Sequence, residues 1–118
     1  MYYSDLNNEA CAAVKDRREV YGEVVTTWTR EVSSCNCLKV EAGTNGAKGG
    51  DWGHGSRVYL RLEDLAGTGW LVKVDGKEIR GLDGDGMEIE LVLGGDSELD
   101  TIKDALRWMI SVLEAQSE

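Results

Sequence analysis

The segment Gly49-Gly50-Asp51-Trp52-Gly53-His54-Gly55-Ser56-Arg57 gathers residue types from which a site is readily built. Successive glycine N–H groups can form an anion nest, and Arg57, with Arg61 in support, could pair with a phosphate held there. The spacing departs from both familiar phosphate loops. A dinucleotide fingerprint needs Gly-x-Gly-x-x-Gly between strand and helix, and a Walker loop needs Gly-Lys followed by Ser or Thr at a helix start, whereas this loop runs into a strand. Two other readings compete: a hairpin loop whose glycines serve positive φ, and a protein-contact loop centred on Trp52, since an aromatic exposed on a loop is a common interface anchor. His54 is the only histidine, and histidine is the residue type suited to acid–base work at neutral pH. Ser56 and Asp51 lie close by in sequence, but no Gly-x-Ser-x-Gly elbow is present to orient a nucleophile, so no catalytic residue is assigned.

Cys35-Asn36-Cys37 puts two thiols on one face of a strand, and Cys11 and His54 could complete a Cys₃His set. Closed zinc sites use Cys-x₂₋₄-Cys, where a turn brings both sulfurs to one metal, and a one-residue spacer on an extended strand does this less readily. The expectation is packing cysteines, with no metal and no cofactor. An odd number of cysteines, 3 in all, also argues against a disulfide framework. Asp83-Gly84-Asp85-Gly86 with Glu88 and Glu90 has the hard oxygens of a calcium loop but lacks the full twelve-residue pattern. It reads as a turn entering a strand with one acidic face. Glu88 and Glu90 on that face are the candidate acidic contact with a basic partner surface, by the steering that clustered charge supplies.

The elements that would position these residues follow from periodicity. Ser4 or Asp5 can cap a helix over residues 4–14, with Leu6, Ala10, Ala13 and Val14 at three- and four-residue steps, fraying in the charged stretch 15–19. The period then becomes two. Residues 20–32 read as one long strand with Val24, Thr26, Trp28, Arg30 and Val32 on one face and Val25, Thr27 and Thr29 on the other. Ser33-Ser34 turns into a strand over 35–42, where Leu38, Val40 and Ala42 oppose Cys37, Lys39 and Glu41. The glycine-rich loop spans 43–56, and from Arg57 the alternation returns, Val58, Leu60 and Leu62 against Tyr59, Arg61 and Glu63. Strands over 70–74 and 77–80 flank Asp75-Gly76, a preferred type I′ turn. A strand over 87–93 and a final helix, capped by Ser97 with Asp100 three residues on, complete the chain. Leu99, Ile102, Leu106, Met109, Ile110 and Leu113 mark that helix's apolar stripe. The expected fold is α+β in a single domain over 1–118: an N-terminal helix, a mainly antiparallel sheet of about five to six strands, and a C-terminal helix packed on one sheet face.

Composition narrows the function classes. Among 118 residues, 22 Asp+Glu outweigh 13 Lys+Arg for a net charge of −9, and there is no proline and no phenylalanine. That balance disfavours direct nucleic-acid binding and anionic membrane surfaces, because both rely on clustered cations. No apolar run approaches the roughly 20 residues of a membrane span and the N-terminus lacks a secretory pattern, so a cytoplasmic protein is expected.

The opening Tyr2-Tyr3-Ser4-Asp5-Leu6-Asn7-Asn8-Glu9-Ala10-Cys11-Ala12-Ala13-Val14, together with Gly50-Asp51-Trp52-Gly53-His54-Gly55-Ser56-Arg57 before a Tyr-Leu-Arg-Leu strand, resembles small accessory proteins of bacteriophages and prophages. The resemblance implies an anti-defence factor that blocks a host complex by binding it, or that sequesters its nucleotide messenger, and it assigns no residue a role. The expected function is therefore non-enzymatic binding of a host protein through the acidic surface and the loop bearing Asp51, Trp52, His54 and Ser56. The alternative is a module that holds a nucleotide or other phosphate with the glycine loop and Arg57. A homodimer is a further option, formed over a solvent-facing sheet side bearing Tyr59, Leu71 and Val92.

Overall fold

Alternation of period two governs most of the chain, and the computed structural model, which describes residues 13–33, 37–51, 54–80 and 86–117, turns it into strands followed by one long helix. β1 (Val14–Val20) and β2 (Glu23–Ser33) form a hairpin, β3 (Cys37–Thr44) and β4 (Arg57–Asp64) a second, and β7 (Glu88–Gly94) returns beside β4. The order β1-β2-β3-β4-β7 is antiparallel at every pairing. Between β4 and β7 the chain makes a separate two-stranded hairpin, β5 (Leu71–Val74) and β6 (Lys77–Arg80), turned at Asp75-Gly76 with both residues at positive φ as the dipeptide predicts. α1 (Asp96–Gln116) follows β7 directly. No helix among the described residues is long and apolar enough to cross a membrane.

Three expectations are corrected. The N-terminal helix falls mostly outside the described residues, but its last position, Val14, and the charged stretch after it are β1. The single strand over 20–32 is in fact the end of one strand and the whole of the next. Tyr21 (φ 48) and Gly22 (φ 80) make a tight turn there, and Arg18 faces Val25 across the hairpin. A tyrosine carries no turn signal, which is why periodicity alone ran the two strands together. The C-terminal helix is not packed along a sheet face: Leu99 is buried, while Leu106, Met109, Ile110 and Leu113 are exposed.

The register sets which side chains share a face. On one face lie Arg18, Val20, Val25, Thr27, Glu41, Tyr59, Arg61, Glu88 and Glu90; on the other lie Trp28, Val32, Leu38, Val40, Val58, Leu60, Leu62, Ile89 and Leu91. Burial is not confined to the apolar face: Val58 and Asp64 are buried there, while on the polar face Val20, Val25 and Tyr59 form a buried cluster in company with Thr27, Glu41 and Arg61. The sheet is strongly curled, which makes this possible: β1 and β4 approach within 8 Å between Cα atoms although two strands separate them, where a flat sheet would hold them about 14 Å apart. The polar face is the concave one. Tyr59 is thereby enclosed and Leu71 belongs to the separate hairpin, so Tyr59, Leu71 and Val92 do not form one solvent-facing dimer surface.

Gly43 permits the curl. A Cβ there would strike the Thr26 carbonyl oxygen and the backbone of Thr27 on β2, so β3 approaches β2 more closely than any side chain allows. Gly43→Ala should therefore destabilise the domain by about 1–3 kcal/mol, read as a lower urea midpoint at unchanged slope. A variant with wild-type stability would show that the curl does not depend on this contact.

Candidate functional site

Glu41 sits at the centre of the concave face with its side chain 1% exposed. A lone buried carboxylate is costly, and this one is satisfied from three strands. Arg18 on β1 donates from Nε to Oε2 at 2.7 Å and from Nη2 to Oε1 at 2.9 Å, a bidentate pair. Thr27 on β2 donates from Oγ1 at 2.6 Å, and Arg61 on β4 donates from Nε to Oε1 at 2.9 Å. Arg61 extends the network to Glu63 at 3.2 Å and to Glu88 on β7 at 3.0 Å. The Arg18 guanidinium also lies over the Tyr59 ring, 4.6 Å from its centroid, and Tyr59 donates its hydroxyl to Glu90 on β7.

The titration of these groups follows from their partners. Burial by itself would raise the Glu41 carboxyl, but the hydrogen bonds from Arg18, Thr27 and Arg61 outweigh it and hold the pKa at about 2, below its ordinary 4.5. The hydrogen bond to Glu41 raises Arg18, and burial of Arg61 is outweighed by its bonds to Glu41 and Glu88, which raise it too. Burial, and then the bond to Glu90, push the Tyr59 hydroxyl up to about 12.

The glycine-rich loop has the anion nest its sequence suggests, and the anion is the chain's own. Asp96, at the start of α1, accepts N–H bonds from Lys48 at 3.0 Å and Ser56 at 2.9 Å on Oδ1, and from Gly49 at 2.6 Å on Oδ2. Those backbone donors, Lys48 first, then Ser56 and Gly49, hold the Asp96 carboxyl at about 2. Asp51 reaches the other way. It accepts from the Ser97 N–H at 2.8 Å and the Ser97 hydroxyl at 3.0 Å, while Gly95 occupies the N-cap position without a side-chain bond. Ser97 is thus not the cap expected from its spacing to Asp100; a carboxylate distant in sequence satisfies the first turn instead.

Each sequence-chosen residue can now be placed. Ser56 is fully buried, its hydroxyl donating to the Gly95 carbonyl at 2.9 Å. Arg57 is buried too, donating to the Gly55 carbonyl at 2.9 Å, and its N–H donates to Asn45 Oδ1 at 2.7 Å. His54 is exposed, and its N–H donates to the Asp51 carbonyl at 3.1 Å. Trp52 lies outside the described residues, as do Cys11, Cys35 and the Asp83-Gly84-Asp85 turn. Cys37 contacts Ser33 Oγ at 3.3 Å and Glu31 Oε1 at 3.7 Å, and no group of three metal-ligating side chains occurs among the described residues. Arg61 belongs to the Glu41 network rather than to the loop, and Glu88 and Glu90 are engaged by Arg61 and Tyr59 rather than forming a free acidic patch.

Two adjoining clefts remain open. One, of about 470 Å³, is lined by Arg17, Arg18, Glu19, Tyr59 and Glu90 between the sheet's two edges. The other, of about 450 Å³, runs to the loop and the start of α1 along Asp51, Leu93, Ser97 and Glu98. Tyr21 and Val92 line both. Sequence reasoning missed Arg18, Glu41, Tyr59 and Asp96. The available signal was that Glu41 and Arg61 fall on corresponding faces of successive strands. No family model, curated protein or solved structure matches this chain.

Glu41→Gln should destabilise the fold by roughly 1–3 kcal/mol in denaturant titration, because it removes charge-assisted hydrogen bonds to Arg18 and Arg61, although Arg61 keeps Glu63 and Glu88 and Arg18 is partly exposed. The wild-type contribution of Glu41 is fully present above about pH 4.5 and is lost as pH falls toward 2, since its pKa is lowered on folding. Acid titration of the variant should lack that component. Asp96→Ala should lower the melting temperature and speed amide exchange at Lys48, Gly49 and Ser56, and unchanged exchange there would show the loop to be held by other contacts.

Proposed function

We propose that this protein is a non-enzymatic binding domain whose partner is another protein, in the manner expected of a phage accessory or anti-defence inhibitor acting in a host cell. The contact centres on the Tyr21 turn and the two clefts it joins. The observation that carries this reading is Tyr21 itself, which is 71% exposed and has φ 48. A non-glycine residue in the left-handed region costs about 1–2 kcal/mol, and asparagine or glycine would fit the same turn better. So exposed a ring recovers little of that cost by burial, and a strained, exposed aromatic between two clefts is suited to anchoring a partner. The surroundings carry both signs of charge, Arg17 and Arg18 against Glu19, Glu90 and Glu98, which fits a protein surface better than a polyanion.

The phosphate alternative has lost its main support, because the N–H groups of Lys48, Gly49 and Ser56 already bind Asp96. The acidic contact also shifts. Glu88 and Glu90, though exposed, are engaged by Arg61 and Tyr59, and Glu19 and Glu98 add exposed acids beside the clefts.

Tyr21→Asn should keep or slightly raise stability while abolishing capture of a protein partner from bacterial lysate by the immobilised domain. Capture that survives the substitution, or co-purification of a nucleotide in place of a protein, would overturn this reading.

A further inference from the structure

The main sheet ends on one side in β1 and on the other in β7, and the two edges are unlike. β1 carries a run of charge of both signs, Lys15-Asp16-Arg17-Arg18-Glu19, which is one way soluble sheets keep an edge from pairing with another chain. β7 reads Glu88-Ile89-Glu90-Leu91-Val92-Leu93, with no lysine, no proline and no break in its register. Of the two, it is the edge open to a further strand.

The register fixes which backbone groups are open. Gly95 donates its N–H to the Ser56 carbonyl at one end of the β4–β7 ladder, and Asp64 donates to the Met87 carbonyl at the other. Both are directly opposed pairs of that ladder, so in strict alternation Ile89, Leu91 and Leu93 also turn their N–H and C=O toward β4. Glu88, Glu90 and Val92 therefore turn theirs outward, and no hydrogen bond among the described residues uses them. The cleft of about 470 Å³ between the two edges is lined by Glu90 and Val92 themselves.

A row of free peptide donors and acceptors at strand spacing is matched by another extended backbone. Side chains on β7 then set what that backbone carries. Glu88 and Glu90 project on the concave face and are exposed, the Glu88 side chain by 49%, while Ile89 and Leu91 project on the convex face, Leu91 being 51% exposed. We propose that β7 accepts an extended segment of a partner protein as a sixth, antiparallel strand, with basic residues opposite Glu88 and Glu90 and apolar residues opposite Ile89 and Leu91. The antiparallel direction continues that of every pairing in the sheet and opposes unlike charges directly. A second β7 fits poorly, because it brings its own glutamates on a chain of net charge −9. The proposal rests on reading the Tyr21 clefts as a protein-binding site, and it names the form in which the partner enters.

The probe is a seven-residue peptide of alternating Lys and Val, the length of β7. In the free protein the Glu90 and Val92 amides should exchange fast and the Leu91 amide, bonded to β4, slowly. Saturating peptide should slow Glu90 and Val92 by about tenfold or more and leave Leu91 unchanged. In an antiparallel pair the Lys nitrogens face β7, so methylating them should weaken binding about a hundredfold, while methylating the Val nitrogens leaves it within about threefold. Glu in place of Lys should weaken it about tenfold or more. Equal loss from both methylation patterns overturns the proposal. So does protection of Glu90 and Val92 before peptide is added, which would mean that residues 1–12 or a second copy already fill the edge. Lysate capture lost in Tyr21→Asn, with no peptide protection at β7, would overturn the added strand alone. Peptide protection at β7 with capture indifferent to Tyr21→Asn would uphold the strand and overturn the Tyr21 reading.

Discussion

One buried carboxylate ties this sheet together. Glu41 on β3 accepts from Arg18 on β1, Thr27 on β2 and Arg61 on β4, and Arg61 passes the connection to Glu88 on β7. All five strands of the main sheet therefore meet in a single network. A buried ion pair is often worth less than apolar packing of the same volume, but breaking one strands a charge in a place that cannot hydrate it. Glu41 is thus better understood as fixing curvature and register than as a source of net stability. A flat sheet could not bring Arg18 onto both Glu41 and Tyr59, and a register slip of one residue would turn every member of the network to the other face.

The cost of this arrangement appears on the opposite face. With charge and hydroxyls enclosed, the regular apolar set of β2, β3, β4 and β7 lies on the convex side, where Leu62 and Leu91 are exposed. α1 does not cover it, since the helix is anchored at its first turns by Leu99 and by the Asp51 and Asp96 bonds and then carries its own apolar stripe into solvent.

The sequence disclosed the alternation well and its sense poorly. Each strand's division into two faces was legible, because a period of two does not depend on tertiary context. Which face is buried does depend on it, and hydrophobicity alone does not mark Glu41 and Arg61 as buried. Curvature decided the matter, and curvature resides in features such as Gly43, whose missing Cβ has no periodic signature. The Asp75-Gly76 turn could be read because its residues are those the geometry favours; the Tyr21-Gly22 turn could not, because tyrosine occupies a conformation it does not prefer. The cap of α1 was misread for a related reason. Spacing reveals caps supplied from within a helix, and Asp51 lies 46 residues from the Ser97 it satisfies.

The glycine-rich loop illustrates how a correct local inference can carry a wrong functional one. Its backbone does converge N–H groups on an anion, as the glycines suggested, but Asp96 fills the place a phosphate would take. An internal carboxylate acts at a high effective concentration compared with a free ligand, so a phosphate could enter only by displacing a group tethered to the same domain. The consequence is structural: Lys48, Gly49, Asp51 and Ser56 become a clamp that fixes the direction in which α1 leaves the sheet. Asp96 and Asp51 hold that start from the loop side, Gly95 donates to the Ser56 carbonyl, and the exit angle of the helix is set before its exposed seam begins. A loop that looked like a binding site therefore serves the fold, by orienting the helix that follows it.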